Sequence, residues 1–563
     1  MNLFDHVKQL HDSELYQDLC QLASVVITLC DNSTDVELLT LQQRYQCMVY
    51  YGNALYNMSQ YLKAEDTYKK AIILRKGFNK SKVKGGPPCH MELTSEVEVK
   101  YKMYQCLLQQ KQYKEAMSVL EGISSRQRNP KIHLALAKLY LRAGMDRSAI
   151  TSYKEVIRVC PLALEALNGL LGLGVKGSDV ATLVINGLPH GTPNDWLSMW
   201  IKGQAHLASR EFSSAVATFQ LMDTKAYLKD NVLLVNSLAE ALFYDGRYSG
   251  ALQAFQRVHA LDPLQVKNMD LYSYLLAKED QVKDLQRLSQ RLMKITEYAP
   301  ESWISIGYFS MATHKESRTR TVYFAQKANN LDSFNIEAYL LKGAALLELK
   351  KSQDASLHFQ EALRLAPHRY EAYLGLINCY MASHRTREAL SWAGKAIKIL
   401  GNNARTLTLY ASVLSKEPTM TAKAKPYLEK AMKMDPNFLD PVYIMADILT
   451  REHQYDKGIE LLRKQLQTQS TCRLHRTLGD FLGLTNEHLE AIDQYSIALS
   501  LDPTNSRARE GMERVEKQSD MGLMGLSLEN SYDVDDIEGS DNDGDFDNSN
   551  SDVESTWSET DYT

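Results

Sequence analysis

Three glycines with the spacing of a dinucleotide-binding loop are the first residues here that could support chemistry. GLLGLGVKGSD places Gly172, Gly174 and Gly177 as G-x-G-x-x-G, which cradles a pyrophosphate when the loop follows a strand and opens a helix. The preceding residues, VCPLALEALN, instead predict a helix. The glycines therefore indicate a helix C-terminus, and we expect no nucleotide site.

Histidine and cysteine could provide metal or nucleophile chemistry, but their spacing does not favour it. The 14 histidines form no H-E-x-x-H and the 8 cysteines form no C-x-x-C, which are short-range patterns of zinc and redox sites. No G-x-S-x-G motif occurs. We expect reduced core thiols and surface or packing histidines, with no metal and no cofactor, as in a cytosolic or nuclear protein.

A basic, breaker-rich segment could contact phosphate groups. RKGFNKSKVKGGPPCHMELTSE runs from Arg75 to Glu96 and carries its lysines at Lys76, Lys80, Lys82 and Lys84. Single-stranded nucleic acid also requires interleaved aromatic residues for stacking. We therefore predict a solvated mobile loop over residues 75–96 and no nucleic-acid partner.

The acidic residues concentrate at the C-terminal end. The net charge is −5, yet no Lys or Arg follows Lys517, and 14 Asp and Glu lie in the tail that follows. With few large apolar side chains, residues 518–563 cannot offset the entropy lost on ordering. We predict a disordered acidic tail there. The N-terminus is charged and its longest apolar run is too short to span a bilayer, so we expect a soluble intracellular protein with no membrane partner.

Three serines in this tail are candidates for phosphorylation. Ser540, Ser551 and Ser558 each have an acidic residue three positions on, which suits an acid-directed kinase. Phosphate would add charge to an acidic segment. A purely solubilising tail is the alternative interpretation.

The elements that would position any of these residues are internal repeats. AIDQYSIALSLDP (491–503) is echoed by ALQAFQRVHALDP (251–263) and ASLHFQEALRLAP (355–367). Pro161 and Pro263 lie three times 34 residues apart, and 34 is the period of the tetratricopeptide helix-turn-helix unit. The Pro ends the second helix of each unit because it lacks an N–H and restricts the residue before it.

Small residues recur where the two helices of a unit must cross. Gly52, Gly203 and Gly479 are examples on first helices, and Ala251 and Ala491 on second helices. A large side chain at a crossing would hold the helices apart. The predicted fold class is therefore all-α, a tetratricopeptide-repeat superhelix (α-solenoid) with a disordered acidic C-terminal tail.

About 13 repeats account for nearly all of the folded length. We predict N-terminal helices at 1–44, N-terminal repeats at 45–160, middle repeats at 161–335, C-terminal repeats at 336–517 and the tail at 518–563. This leaves no length for a catalytic domain, so we expect a non-enzyme. The predicted repeats start near Tyr45, Val97, Pro130, Ala163, Trp196, Val232, Met269, Glu301, Ile336, Tyr370, Ala404, Leu439 and Cys472.

First helices of such arrays line a concave groove that binds peptides, helices or other arrays. Chaperone-binding arrays clamp a peptide carboxylate with Lys and Asn one turn apart, a combination missing from the aligned pairs here, such as Leu374 with Asn378. A chaperone clamp is therefore disfavoured. The groove candidates are Asn378, Tyr443, Asp447, Arg473 and Arg476.

The first repeat is rich in aromatic residues. An array end exposes an apolar face unless it is capped, and aromatic residues are enriched in buried interface centres. We therefore predict that residues 1–160 mediate self-association. The dimer-interface candidates are Tyr45, Tyr50, Tyr51, Tyr56 and Tyr61.

Specific stretches go beyond the generic repeat. SEVEVKYKM, SSRQRNPKI, TSYKEVIRVCPLALEAL, DWLSMWIK, LLKGAALLE and LHRTLGDFL with EAIDQYSIALSLDP resemble, in order and spacing, the family of subunit seven of the anaphase-promoting complex, or cyclosome. The likeness covers essentially the whole chain, as in an animal member, and is weakest in the first forty residues and the 76–95 loop.

The resemblance implies a non-catalytic scaffold subunit of a multi-subunit ubiquitin ligase that drives mitotic exit. Family members form homodimers through their N-terminal repeats and contact neighbouring tetratricopeptide-repeat subunits and a small accessory subunit. It also implies a location in the nucleus and cytoplasm. The alternatives are a free-standing adaptor that captures peptide motifs in its groove, and a regulatory arm of an enzyme.

Overall fold

The structure of the 563-residue chain is a computed structural model. It describes residues 2–32, 39–80, 93–189, 195–313 and 318–528. These residues form 29 α-helices, a few short 3₁₀ turns and no strand. Across the described ranges, no helix has the length and apolar character needed to cross a membrane.

The chain divides into two compact units between Lys351 and Ser352. The first unit contains α1 (Leu3–Asp12), α2 (Tyr16–Asn32), α3 (Leu41–Asn57), α4 (Tyr61–Lys80), α5 (Glu96–Gln109), α6 (Tyr113–Glu121), α7 (Pro130–Arg142), α8 (Asp146–Val159), α9 (Leu164–Gly172), α10 (Gly177–Gly187), α11 (Asp195–Ala208), α12 (Phe212–Asp223), α13 (Val232–Asp245), α14 (Tyr248–Leu261), α15 (Met269–Lys278), α16 (Val282–Ile295), α17 (Pro300–Thr313), α18 (Arg318–Leu331) and α19 (Ile336–Glu348).

The second unit begins at Ser352, within the sequence of the repeat predicted near Ile336. It contains α20 (Ser352–Leu365), α21 (Tyr370–Ala382), α22 (Thr386–Leu400), α23 (Ala404–Leu414), α24 (Thr421–Met434), α25 (Asp440–Arg451), α26 (Tyr455–Leu466), α27 (Cys472–Leu484), α28 (His488–Leu501) and α29 (Ser506–Leu528).

The predicted repeats coincide with the observed helix pairs. Each predicted start lies within a few residues of the start of an odd-numbered helix from α3 to α27. The repeats predicted near Ala163 and Met269 have short first helices of 9 and 10 residues. α8, α14 and α28 each end two residues before the proline predicted to stop them. The 34-residue period and the prolines that end the second helices were therefore sufficient to locate the helix pairs.

The turn that joins the two helices of a pair places one residue in the left-handed region of backbone φ and ψ angles. Gly144 (φ +71°) and Gly246 (φ +87°) do so, but Lys111 (φ +61°) and His453 (φ +57°) adopt the same conformation without being glycine. In each turn the next N–H bonds to the carbonyl five residues back, as in Arg247 N to Leu242 O at 3.0 Å. This satisfies the open carbonyls at the helix end.

Gly172, Gly174 and Gly177 lie in such a turn. Gly172 ends α9, Gly174 has φ +81°, and Gly177 opens α10. A Cβ on Gly177 would approach Ala205 Cβ at 2.6 Å. The prediction of a glycine-rich helix end is confirmed, with Gly177 giving close packing against α11.

Glycines at the crossings make room for aromatic rings. A Cβ on Gly52 would lie 2.5 Å from the Tyr68 ring, and one on Gly203 the same distance from Phe219. Tyr495, from the stretch AIDQYSIALSLDP, lies against both Gly479 and Gly511, at 3.0 and 2.7 Å from their would-be Cβ atoms. The small residues therefore serve ring insertion as well as close approach of two backbones.

The N-terminal segment forms two helices, as predicted, and they cover α3. Leu19 and Val26 of α2 are buried with Cys47 and Ala54 of α3 in one apolar cluster. Leu15 precedes α2 and is 49% exposed. The hairpin α1–α2 therefore lies over the first predicted repeat.

Two predicted irregular segments begin later than expected. Arg75–Lys80 belong to α4, and only residues 93–95 of the remaining loop are described, since 81–92 lie outside the described residues. α29 continues to Leu528, past the predicted start of the tail. Residues 529–563 lie outside the described residues, as do Ser540, Ser551 and Ser558.

Candidate protein-interaction surfaces

Three of the five groove candidates lie close together in the second unit. The Arg473 guanidinium on α27 stacks 3.9 Å from the centre of the Tyr443 ring on α25. Burial raises the pKa of Tyr443, and the charges of Arg473 and Arg476 partly oppose that rise. Cation–π contact holds the arginine against the ring, so this part of α25–α27 presents a fixed positive charge.

The other two groove candidates do not join that contact. Asn378 lies on α21, two helix pairs earlier, and is exposed. Asp447 is exposed on α25, one turn beyond Tyr443. The set therefore does not form one clamp.

Arg476 belongs to a small polar network. Its Nε lies 3.8 Å from Asp480 Oδ2, and Asp480 Oδ1 accepts a 2.7 Å hydrogen bond from the Tyr495 hydroxyl. Asp480 thus links a groove cation to the buried ring of α28. This gives Arg476 a positioning contact inside the unit.

Sequence reasoning missed a second stacked arginine. Arg405 on α23 lies 4.0 Å from the centre of the Tyr370 ring on α21 and 3.4 Å from Glu371. Like Arg473, it is the second residue of its first helix. The sequence pattern that predicts this contact is an Arg at the second position of one first helix and an aromatic residue on the first helix of the preceding pair.

The five candidate tyrosines of the first repeat have different environments. Tyr45 is 0% exposed; its hydroxyl donates to Thr94 O at 2.8 Å and accepts from Arg75 Nη1 at 2.8 Å. Tyr45 is therefore a core residue, and its prediction as an interface residue needs correction. The cause is Arg75, which continues α4 instead of entering a loop.

The other four tyrosines keep some exposed surface. Tyr50 stacks against His11 of α1, with ring centres 4.1 Å apart, and Tyr51 packs beside it under the N-terminal hairpin. Tyr56 and Tyr61 meet edge to face at 5.4 Å across the α3–α4 turn. The next residue, Leu62, is 71% exposed. The α3–α4 turn is thus the part of the predicted interface that remains open.

A polar cavity of about 370 Å³ lies under the N-terminal hairpin. On its wall, Asn53 Oδ1 accepts hydrogen bonds from Lys102 Nζ and Tyr68 Oη, both at 2.9 Å. Asn53 must therefore present Nδ2 to His11 Nε2, 3.1 Å away. The other ring nitrogen of His11, Nδ1, lies 3.3 Å from Asp12 Oδ1. Burial lowers the pKa of Lys102.

Carboxylates recur on successive first helices of the middle repeats, which the sequence reading missed. Asp270 (8% exposed) and Glu337 (4% exposed) are the second residues of α15 and α19. Glu301 occupies the same place on α17, and burial, with the Asp270 carboxylate next, raises its pKa to about 7. Burial also raises the pKa of Glu240 on α13. Burial and the nearby Asp270 carboxylate thus favour the protonated, neutral forms of Glu301 and Glu240.

Replacing Glu301 with glutamine should stabilise the chain in a pH-dependent way. Burial and the nearby Asp270 carboxylate raise the folded-state pKa of Glu301 from 4.5 to about 7. Between these two values the folded chain holds a proton that the unfolded chain has lost, so stability falls as pH rises from 4.5 to about 7, and the full cost of the buried carboxylate is present above about pH 7. Discounted for solvent screening, the gain at pH 8 is about 1–2 kcal/mol and shrinks as pH falls toward 4.5. Thermal melts at pH 8 and pH 5 measure it. Exposed Glu297→Gln is the control, and an equal gain at both pH values would contradict the expectation.

Comparison with known proteins places the chain in a family. A family model described as tetratricopeptide repeat matches residues 346–413. The human protein named anaphase-promoting complex subunit 7 is 42% identical over 560 residues, which cover 98% of this chain and 98% of the human one. The chain belongs to the anaphase-promoting complex subunit 7 family. The subunit 7 protein of Arabidopsis thaliana is 26% identical over 497 residues, covering 85% of this chain and 88% of the plant one.

A solved structure supports the fold assignment of this chain. A chain in the crystal structure of the APC/C hetero-tetramer Cut9–Hcn1 matches with a TM-score of 0.56 and 14% identity, over 90% of this chain and 95% of that one. At this identity the likeness concerns the fold alone. It confirms the predicted all-α repeat architecture.

Proposed function

We propose that the chain is a non-catalytic scaffold subunit of the anaphase-promoting complex, a multi-subunit ubiquitin ligase controlling mitotic progression and exit. The observation that carries this proposal is the 42% identity to human anaphase-promoting complex subunit 7 over 98% of both chains. The chain would act in the nucleus and cytoplasm.

The contacts that titratable side chains make between helices support a scaffold role. Buried titratable residues such as Tyr45 and Tyr443 form hydrogen-bonding or stacking contacts between helices. Arrays of this kind act by presenting long surfaces to other proteins. The partners would be other tetratricopeptide-repeat subunits, a small accessory subunit and a second copy of the chain.

Self-association would use residues 1–160, with the open α3–α4 turn at its centre. Tyr56 and Tyr61 form an aromatic pair there, flanked by Met58 (36% exposed) and Leu62 (71% exposed). Exposed apolar side chains beside aromatic residues are typical of interface cores.

The mass of the native assembly tests the scaffold proposal. A tagged full-length chain expressed in cells should elute in a very large complex, together with other tetratricopeptide-repeat subunits, because a scaffold is retained by several partners. The purified chain alone should transfer no ubiquitin. Elution at the mass of a monomer or dimer from freshly lysed cells would refute the proposal.

One observation favours the second candidate, a free-standing adaptor. Arg473 stacked on Tyr443, with Arg476 beside them, offers two cations that could bind an acidic peptide motif. The same elution experiment separates the candidates, since an adaptor runs mostly outside the large complex.

A further inference from the structure

Three successive turns of the first unit share one construction. Each leads from a second helix to the next first helix, and in each the side chain that caps the second helix accepts the N–H of the residue two positions on. The bonds join Leu264 N to Asp262 Oδ1 (3.0 Å), Tyr298 N to Thr296 Oγ1 (3.1 Å) and Phe334 N to Asp332 Oδ1 (3.0 Å).

The residue held in each turn is large, apolar and open to solvent. Leu264 is 68% exposed, Tyr298 is 87% exposed and Phe334 is 52% exposed. We call these three residues the apolar turn row. An exposed ordered set of this kind costs solubility, so it indicates contact with another molecule.

The turn itself does not require an apolar side chain. In the second unit, Asn437 N bonds to Asp435 Oδ1 at 3.1 Å and Thr504 N bonds to Asp502 Oδ1 at 3.0 Å, in the same arrangement. Asn437 and Thr504 are polar and exposed. Folding therefore leaves this position free, and the apolar residues of the first unit need another explanation.

The three turns lie side by side. α15 packs on α17 and α17 packs on α19. The Asn335 side chain, at the end of the third turn, reaches Asp270 Oδ2 at 3.5 Å, just after the first. The row therefore follows the direction in which the helix pairs stack.

Negative charge accompanies the row. Glu301, which follows the second turn, is close enough to Asp270 and Asp332 for both carboxylates to raise its pKa, and Lys267 is the cation that opposes them. Each residue of the row also has a carboxylate within two positions of it in the chain, at Asp262, Glu297 and Asp332. A ligand that covers both features must be apolar and basic.

We propose that the apolar turn row docks a linear segment of another subunit, one that carries bulky apolar side chains together with Lys or Arg. The inference rests on the proposed scaffold function, because it names a surface by which the chain holds a partner. A linear segment fits, since the contacts follow one another across three stacked turns.

The chain's own acidic tail does not meet this requirement. After Lys517 the sequence contains 14 Asp and Glu and no Lys or Arg, so like charges would oppose its approach to Asp262, Glu297 and Asp332. A partner segment with net positive charge gains from the same field.

Site-specific photo-cross-linking in the assembled complex tests the proposal. Benzoylphenylalanine replaces Leu264, Tyr298 or Phe334, one at a time, in the full-length chain, and the complex is purified before irradiation. The adducts should map by mass spectrometry to one stretch of one other subunit, in order along it, with a basic net charge. Tyr323, 59% exposed on α18 of the same unit, is the matched control and should not label that stretch.

Other outcomes overturn the inference. These are adducts to residues 529–563, adducts to a second copy, adducts scattered over several chains or onto an acidic segment, and yields no higher than at Tyr323. Wild-type chain recovered in the large complex shows that such a result concerns the row and not the scaffold function. Failure of the wild-type chain to enter the complex would refute the scaffold function itself.

Alanine variants provide a second measurement. Tyr298→Ala with Phe334→Ala should lower the Leu264-site adduct at least tenfold, because the segment loses two of its three anchors. Tyr323→Ala with Leu221→Ala removes exposed side chains from α18 and α12 and should leave that adduct unchanged. Equal adduct yields in the two double variants would overturn the inference.

Discussion

Replacing Gly375 with alanine should destabilise the second unit by about 1–3 kcal/mol. A Cβ at Gly375 on α21 would lie 2.3 Å from the ring of Phe359 on α20, and that ring is itself 3% exposed. The ring cannot withdraw into solvent, so either the helices separate or the ring leaves its packed position. This cost exceeds the roughly 1 kcal/mol that alanine gains over glycine inside a helix.

Gly394 on α22, the partner helix of α21, is the matched control. A Cβ there meets nothing within 4 Å, so Gly394→Ala should raise stability by up to about 1 kcal/mol. Urea unfolding of the two variants, followed by circular dichroism, measures both effects. If both substitutions changed the free energy of unfolding in the same direction, the crossing at Gly375 would not be tightly packed.

In the homodimer that we propose, replacing Leu62 with aspartate should convert the full-length chain from dimer to monomer at micromolar concentration. Leu62 is 71% exposed beside the Tyr56–Tyr61 pair, and a carboxylate in an apolar interface core pays for desolvation without a partner. Light scattering should report about half of the wild-type mass. The fold should persist, because an acidic residue in the first turn of a helix is favourable.

Leu489→Asp controls for the charge and the position. Leu489 is likewise the second residue of its helix, α28, and is 81% exposed in the second unit, so this variant should remain a dimer. A fragment lacking residues 1–160 should be monomeric. A dimeric fragment at micromolar concentration would sink the assignment of self-association to the N-terminal repeats.

Much of the fold could be predicted from the sequence because its signals are local. The 34-residue period, the prolines such as Pro263 and the small crossing residues such as Gly203 each act within one or two helices. The resemblance to subunit seven rested on residues between those packing positions, and the identity to the human protein confirms the family.

The interaction surfaces were harder to predict from the sequence, because the exposure of a side chain depends on distant parts of the chain. Tyr45 becomes a core residue through Arg75 and Thr94, far along the sequence. Tyr50 is partly covered by α1. An aromatic-rich repeat therefore indicates packing in general, and only the folded chain separates residues that face inward from those that face a partner.

The groove prediction missed contacts for a related reason. Aligning residues one turn apart compares positions on a single helix, whereas Arg473 contacts Tyr443 on the previous first helix, and Arg405 contacts Tyr370 in the same way. A search of the second residue of each first helix against the helix before it would have found both pairs.

The position of Tyr495 between Gly479 and Gly511 affects how damage spreads along the chain. The ring joins α28 to its own partner α27 and also to α29, which follows it. Stability in a stacked array is a sum of unit terms and nearest-neighbour terms, and a shared ring belongs to both. A defect in one helix pair therefore removes packing contacts from the next pair. We expect unfolding of the second unit to spread from such a defect into the neighbouring pair instead of staying within one pair.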